Sequence, residues 1–109
     1  MKQIIKYEDF SKLDLRVGEV IECIKKEESN KLLRLTVDFG DEGERNILSG
    51  LSQYYKPEDL KGKQFVFIIN LEPRKLMGEE SQGMILCVDG DKPIPIKPQE
   101  LTKPGSEIA

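Results

Sequence analysis

Leu33-Arg34-Leu35-Thr36-Val37-Asp38-Phe39 alternates apolar and polar side chains without a break. Side chains alternate between the two faces of a β-strand, so Leu33, Leu35, Val37 and Phe39 share one face and Arg34, Thr36 and Asp38 the other. The segment reads as a strand with one buried side. Gly40-Asp41-Glu42-Gly43 follows as a hairpin turn, and Glu44 to Leu48 returns as the next strand. Upstream, Lys25 to Lys31 is a polar turn, and Leu15 to Ile24 before it is a long strand. Leu15, Val17, Ile21 and Cys23 share one parity there, while Val20 and Ile24 lie on the other. Gly18-Glu19 interrupts the pattern, which fits a bulge or bend in a strongly coiled strand.

Downstream the character changes. Pro57-Glu58-Asp59-Leu60 places proline in a first helical turn with acids at its positive end, and Gly62 closes a short helix. Phe65 to Leu71, apolar without a break as far as Ile69, reads as a strand buried on both faces. Met84 to Val88 is a fifth strand. Near the N-terminus, Tyr7 to Asp14 reads as a helical turn that directs Phe10 and Leu13 toward the body. After Asp89-Gly90-Asp91, Pro93, Pro95, Pro98 and Pro104 predict an extended, non-helical tail. Five short strands with one small helix between the third and fourth is the element order of an OB-fold, an all-β Greek-key barrel of five strands. The chain is expected to be a single domain, residues 1–109, with its barrel core at about 14–89. The extension, 90–109, carries Ile94, Ile96, Leu101 and Ile108, too apolar for a linker, and is expected to pack on this barrel or on a second copy.

Composition narrows the function classes. The chain has 109 residues, 38% hydrophobic and 34% charged, with a net charge of −3. No whole-molecule field draws it toward nucleic acid, so any such binding needs a local basic patch. No apolar run is long enough to cross a bilayer, and the first residues lack a signal peptide's pattern, so a cytoplasmic location with no membrane partner is expected. There is no histidine, and the two cysteines, Cys23 and Cys87, are far apart in apolar segments. A structural zinc site therefore has no ligand set, the commonest general base is missing, and both thiols read as buried hydrophobes. No glycine-rich phosphate loop is present. The expectation is a non-catalytic protein without metal or cofactor.

Three candidate sites remain. The first is the run Asn70-Leu-Glu-Pro-Arg-Lys-Leu-Met-Gly-Glu-Glu-Ser-Gln-Gly-Met84, which joins the fourth and fifth strands. That loop is one of two from which OB-folds bind oligonucleotides. Arg74 and Lys75 can meet phosphate, Ser81 and Gln82 can hydrogen-bond to sugar or base edges, and Met84 can pack under a base. By charge alone the run is a solvated loop, because Glu72, Glu79 and Glu80 outnumber its two cations. The second is the turn between the first two strands, where Lys25, Lys26, Lys31 and Arg34, with Asn30, oppose Glu27 and Glu28. The third is Arg45-Asn46 with Ser49 on the third strand. The aromatic residues read mostly as core, which argues against a surface for stacking single-stranded bases.

The first run resembles the tRNA-binding domain family appended to methionyl-tRNA synthetases, also found as freestanding tRNA-binding dimers and in cytokine-like synthetase cofactors of animals. That family's Asn-x-x-Pro-Arg-Lys-hydrophobic-x-Gly-x-Glu-Ser-x-Gly-Met pattern is matched by Asn70, Pro73, Arg74, Lys75, Leu76, Gly78, Glu80, Ser81, Gly83 and Met84. Leu13 to Gly18, Asn30 to Leu33, Leu35 to Gly40, Arg45 to Leu51 and Tyr55 to Lys63 resemble other parts of it. Two departures stand out: Glu27-Glu28 where the family usually has His-Pro, and Glu79 where it usually has a hydrophobic residue. Both add negative charge near the presumed RNA face. The resemblance implies a non-catalytic module that contacts the backbone of folded tRNA through Asn30, Lys31, Arg34, Ser49, Asn70, Arg74, Lys75, Ser81 and Met84. It implies the C-terminal domain or separate beta subunit of a methionyl-tRNA synthetase, partnered by that enzyme's catalytic part. It also implies a homodimer with the N-terminal segment and residues 90–109 at the interface. The alternative is a dimeric chaperone or protein-interaction module of the same fold.

Overall fold

A computed structural model describes every residue from Met1 to Ala109. In chain order the elements are α1 (Tyr7–Phe10), β1 (Leu15–Lys25), β2 (Leu33–Asp38), a 3-10 turn (Gly40–Glu42), β3 (Glu44–Ser49), α2 (Pro57–Leu60), β4 (Gln64–Ile68), β5 (Arg74–Leu76), β6 (Glu79–Ser81), β7 (Met84–Ile85), β8 (Cys87–Asp89) and β9 (Pro93–Pro95). The main sheet has five antiparallel strands in the order β3-β2-β1-β4-β7. This is the expected five-stranded barrel, with α2 between the third and fourth strands.

β1 bends because it serves two partners. Leu15 to Glu19 pair with β4, and Glu19 to Lys25 pair with β2. Val20 opposes Val37 and Cys23 opposes Leu35, so β1 spends three residues where β2 spends two. This bulge lies one turn of the pleat beyond the expected Gly18-Glu19. It explains why Val20 and Cys23, of opposite parity, are both buried while Ile21 and Ile24 are exposed. Gly18 is needed for a different reason: a Cβ there would overlap the side chains of Val37 and Phe39. Phe39 in turn packs edge-to-face on Phe67, ring centroids 5.3 Å apart. Gly18→Ala is therefore expected to lower unfolding free energy by about 1–3 kcal/mol through overpacking, read by urea titration.

The core joins Val20, Cys23, Leu33, Leu35, Val37, Phe39, Ile47, Leu51, Leu60, Phe65, Phe67, Ile69 and Ile85. The alternating face read from residues 33–39 supplies four of these. β4 is buried along its whole length, on both faces as its continuous apolarity predicts. Phe65 and Phe67 enter the core, while Gln64 on the alternate face exchanges two amide hydrogen bonds with the backbone of Thr102, at 2.6 and 3.0 Å. Burial pushes the Cys23 thiol up to about 11, and raises that of Cys87 too, so both remain protonated, unreactive packing groups at neutral pH.

The tail is extended and packs on its own barrel. Gly105 and Ser106 pair with Val17, and the Ile108 amide donates to the Leu15 carbonyl, so the free edge of β1 is covered. Arg16 anchors this strap. Its guanidinium donates to the Asp14 carboxylate at 2.7 Å, the Gly105 carbonyl at 3.1 Å and the Glu107 carboxylate at 3.1 Å. The fifth strand is shorter than Met84 to Val88. It breaks at Leu86, whose amide donates to Val66 and whose carbonyl accepts from Ile96, and the chain then turns into the β8–β9 hairpin.

Candidate nucleic-acid interface

The run from Asn70 to Met84 is not a loose loop. Arg74–Leu76 and Glu79–Ser81 pair as a hairpin, with Arg74 opposite Ser81, Lys75 opposite Glu80 and Leu76 opposite Glu79. The two connecting residues, Met77 and Gly78, have φ of 52° and 78°. Positive φ at both positions is the primed turn that matches the twist of a tight hairpin. Alternation along so short a ribbon separates the two cations. Arg74 and Leu76 share one face, and Lys75 lies on the other opposite Glu80.

Polar side chains clamp this hairpin onto the barrel. The buried Ser81 hydroxyl accepts the Leu48 amide hydrogen and donates to the Gly83 carbonyl, both at 3.0 Å. The Gln82 amide oxygen accepts from the Asn46 backbone at 2.9 Å, and the Gln82 backbone donates back to Asn46. Arg45 donates to the Ile69 carbonyl at 2.7 Å. Together these contacts join β3 to the β6–β7 segment and close the barrel where ladder pairing is missing. Gly83 sits in the closure with φ of 147°, and a Cβ there would come within 2.9 Å of the Ile68 carbonyl oxygen. At the other end, the Asn70 side chain accepts from the Asp14 amide at 2.8 Å and donates to the Lys12 carbonyl at 2.7 Å. It staples the N-terminal turn to the end of β4.

Glu79 organises the charge between the two candidate loops. Arg34 grips its carboxylate with two hydrogen bonds of 2.7 Å, Lys26 donates at 2.9 Å and the Asn46 amide at 2.8 Å. The hydrogen bonds from Arg34 and Lys26, outweighing the effect of burial, hold the Glu79 carboxyl down at about 2. Glu79 correspondingly raises the pKa of Arg34 through their shared hydrogen bonds. The carboxylate expected to repel RNA is thus neutralised inside a four-residue network. Lys26, only 4% exposed, is spent on it and offers nothing outward. The Arg34 side chain is 33% exposed and its Nη1 takes no part in the pair, whose two bonds fix the plane of the guanidinium.

The nine residues expected to meet tRNA therefore divide. Ser81 is buried and committed to Leu48 and Gly83, and both hydrogen-bonding ends of the Asn70 side chain are engaged; these two build the interface without facing it. Ser49 lies at the end of β3, half-buried opposite Leu33. Asn30 and Lys31 are exposed in the β1–β2 turn, shaped by the Lys31 amide donating to Ser29 Oγ and the Lys31 carbonyl accepting from Ser52. Arg74, Lys75 and Met84 are exposed. Arg74 and Met84 line a cavity of about 90 Å³ with Leu48, Leu71 and Leu76. An apolar floor beneath a guanidinium suits a ribose or base with its phosphate on the rim. The sequence reading missed Leu71, whose apolar contact with this cavity was taken up into the strand, and Lys26's burial, which no local pattern signals.

A five-stranded barrel with polar and charged loops at the β1–β2 turn and the β4–β7 segment is an OB-fold, and those are the two loops from which OB-folds bind oligonucleotides. The family described as "Putative tRNA binding domain" matches residues 15–107. The chain is 49% identical over 110 residues to a methionine–tRNA ligase of Parabacteroides distasonis, which covers 99% of this chain and 16% of the ligase. It is 44% identical over 108 residues to the methionine–tRNA ligase of Archaeoglobus fulgidus, with coverage of 98% and 16%. A MetRS-related protein from Pyrococcus horikoshii superposes with a TM-score of 0.92 at 34% identity, over 99% of this chain and 100% of that one. The chaperone CsaA of Bacillus anthracis superposes at 0.89 and 29% identity, over 98% and 100%. The chain belongs to the tRNA-binding domain family, and it spans 16% of the length of these two ligases.

Proposed function

We propose that this chain is a non-catalytic module that holds the backbone of folded tRNA on behalf of a methionyl-tRNA synthetase, in which it is the C-terminal domain or a separate beta subunit. The observation that carries the reading is the clamped hairpin that presents Arg74 over an apolar cavity, beside a β1–β2 turn carrying Lys31 and Arg34. Asn30, Lys31, Arg34, Arg74, Lys75 and Met84 make the contacts; Ser81 and Asn70 hold them in place. No single-strand stacking surface accompanies them, since Phe39, Phe65 and Phe67 are core. Work in the cytoplasm follows from the partner, and no helix is long and apolar enough to cross a membrane.

A homodimer presents two such faces and raises effective concentration. Exposed Ile4, Ile5 and Tyr7 at one end of the chain and Ile96 and Leu101 in the 90–109 extension support an interface there. The likeness to CsaA supports a second reading, a dimeric chaperone of the same fold. A gel-shift titration separates them. Binding of bulk tRNA at 50 mM salt that weakens steeply by 200 mM is expected. Peptide binding that survives high salt, with no tRNA shift at any salt, would establish the chaperone reading instead.

A further inference from the structure

The groove whose lining holds the largest excess of cations over acids is not at the hairpin. It lies around α2 and β9, an open channel of about 520 Å³ lined by Lys63, Lys92 and Lys97 with Tyr54, Tyr55 and Asp59. All three lysines are exposed, and none takes part in an ion pair. The one carboxylate there, Asp59, is held back at the start of α2 by accepting the Lys56 amide hydrogen at 2.8 Å, which leaves the lining with more cations than acids. By contrast, the cavity under the hairpin sets Arg74 against Glu72, and the hollow at the β1–β2 turn sets Lys25, Lys26 and Arg34 against Glu27 and Glu28. In a chain of net charge −3, three lysines without ion pairs gathered around one carboxylate make a local positive excess there.

The groove is also shaped. The Tyr55 hydroxyl donates to the Pro93 carbonyl at 2.8 Å, which ties the β8–β9 hairpin to the segment before α2. The Lys92 ammonium sits 5.3 Å from the Tyr55 ring centroid, so its stem is steered along the wall. Tyr54 stands on the rim, 47% exposed. We propose that this groove is a second RNA contact, in which Lys63, Lys92 and Lys97 meet consecutive phosphates of a sugar-phosphate backbone and Tyr54 packs on a ribose. The inference rests on the tRNA-binding reading above. Phe65 of β4 lines the groove, and Asn70, two residues past the end of β4, opens the run that leads into the hairpin; five residues at strand rise span at most roughly 17 Å, a separation that one folded RNA can bridge.

The test compares tRNA affinity across a salt series for the parent chain, Arg74→Ala, and the triple variant Lys63→Gln/Lys92→Gln/Lys97→Gln, each checked by circular dichroism. The triple variant is expected to bind about tenfold or more weakly at 50 mM salt, with a slope of log affinity against log salt shallower by about 2 to 3, one counterion-releasing contact per lysine. Replacing the same three residues by arginine is expected to keep the parental slope. A triple glutamine variant whose affinity and slope match the parent, while Arg74→Ala is weakened, overturns the second contact and leaves the first intact. A parent chain that binds no tRNA overturns both.

Discussion

Glu79→Ala is expected to lower the stability of the fold by about 2–3 kcal/mol, a drop in melting temperature of roughly 10 °C or more for a domain of this size. The reason is Lys26. Its ammonium is buried and its strong partner is Glu79 at 2.9 Å; Glu28, at 3.8 Å, is largely solvated. Removing the carboxylate strands a cation away from water, and that cost exceeds the loss of any one hydrogen bond. The effect also ties the network to pH. Glu79 titrates near 2 in the fold against an ordinary value of 4.5, so its contribution is fully present above 4.5 and is lost as pH falls from there through 2. Chemical denaturation between pH 2 and 7 should show a steeper acid decline for the parent than for Glu79→Gln. Replacing both, Lys26→Met with Glu79→Leu, should recover part of the stability, because no buried cation is then stranded and the freed donors of Arg34, one-third exposed, can be solvated. Equal destabilisation by the single and double variants would show that the network is incidental.

Arg74→Ala is expected to weaken tRNA binding by about tenfold to a hundredfold, whereas Lys75→Ala costs about two- to threefold. The two residues are adjacent, and by charge alone they are equivalent. The hairpin makes them unequal. Arg74 lies on the face that lines the cavity with Met84 and Leu71, where a bidentate fork can hold a phosphate whose sugar rests on apolar surface. Lys75 points from the other face, opposite Glu80, and acts as a solvated point charge. Its removal should reduce the salt slope by about 1 and little else. Competition titrations at two salt concentrations give both numbers. Equal losses from the two variants would mean that the hairpin unfolds on binding or that its register differs.

The barrel was legible in the sequence because its signals are local. The alternation at residues 33–39, the proline-led turn at 57–60 and the unbroken apolar run from 65 each report their own burial. The site was legible only as a pattern. Ser81 and Asn70 look like ligand-binding groups in a string of polar residues, and only the fold shows that their partners are Leu48 and Gly83, and Lys12 and Asp14. Glu79 reads as a liability when its neighbours are Gly78 and Glu80. Its real neighbours, Arg34 and Lys26, are 45 and 53 residues away in the chain. The hairpin itself was hidden because Met77 gives no sequence sign of a positive φ. Charge partners and backbone staples are long-range facts, and no window of residues contains them.

Analytical ultracentrifugation of the chain with bulk tRNA, at 50 and 500 mM salt, tests the central claim most directly. The expected result is co-sedimentation at low salt that disappears at high salt, and that needs a higher protein concentration at low salt when Arg74 is replaced by alanine. Independent sedimentation of tRNA and protein at 50 mM salt would contradict it.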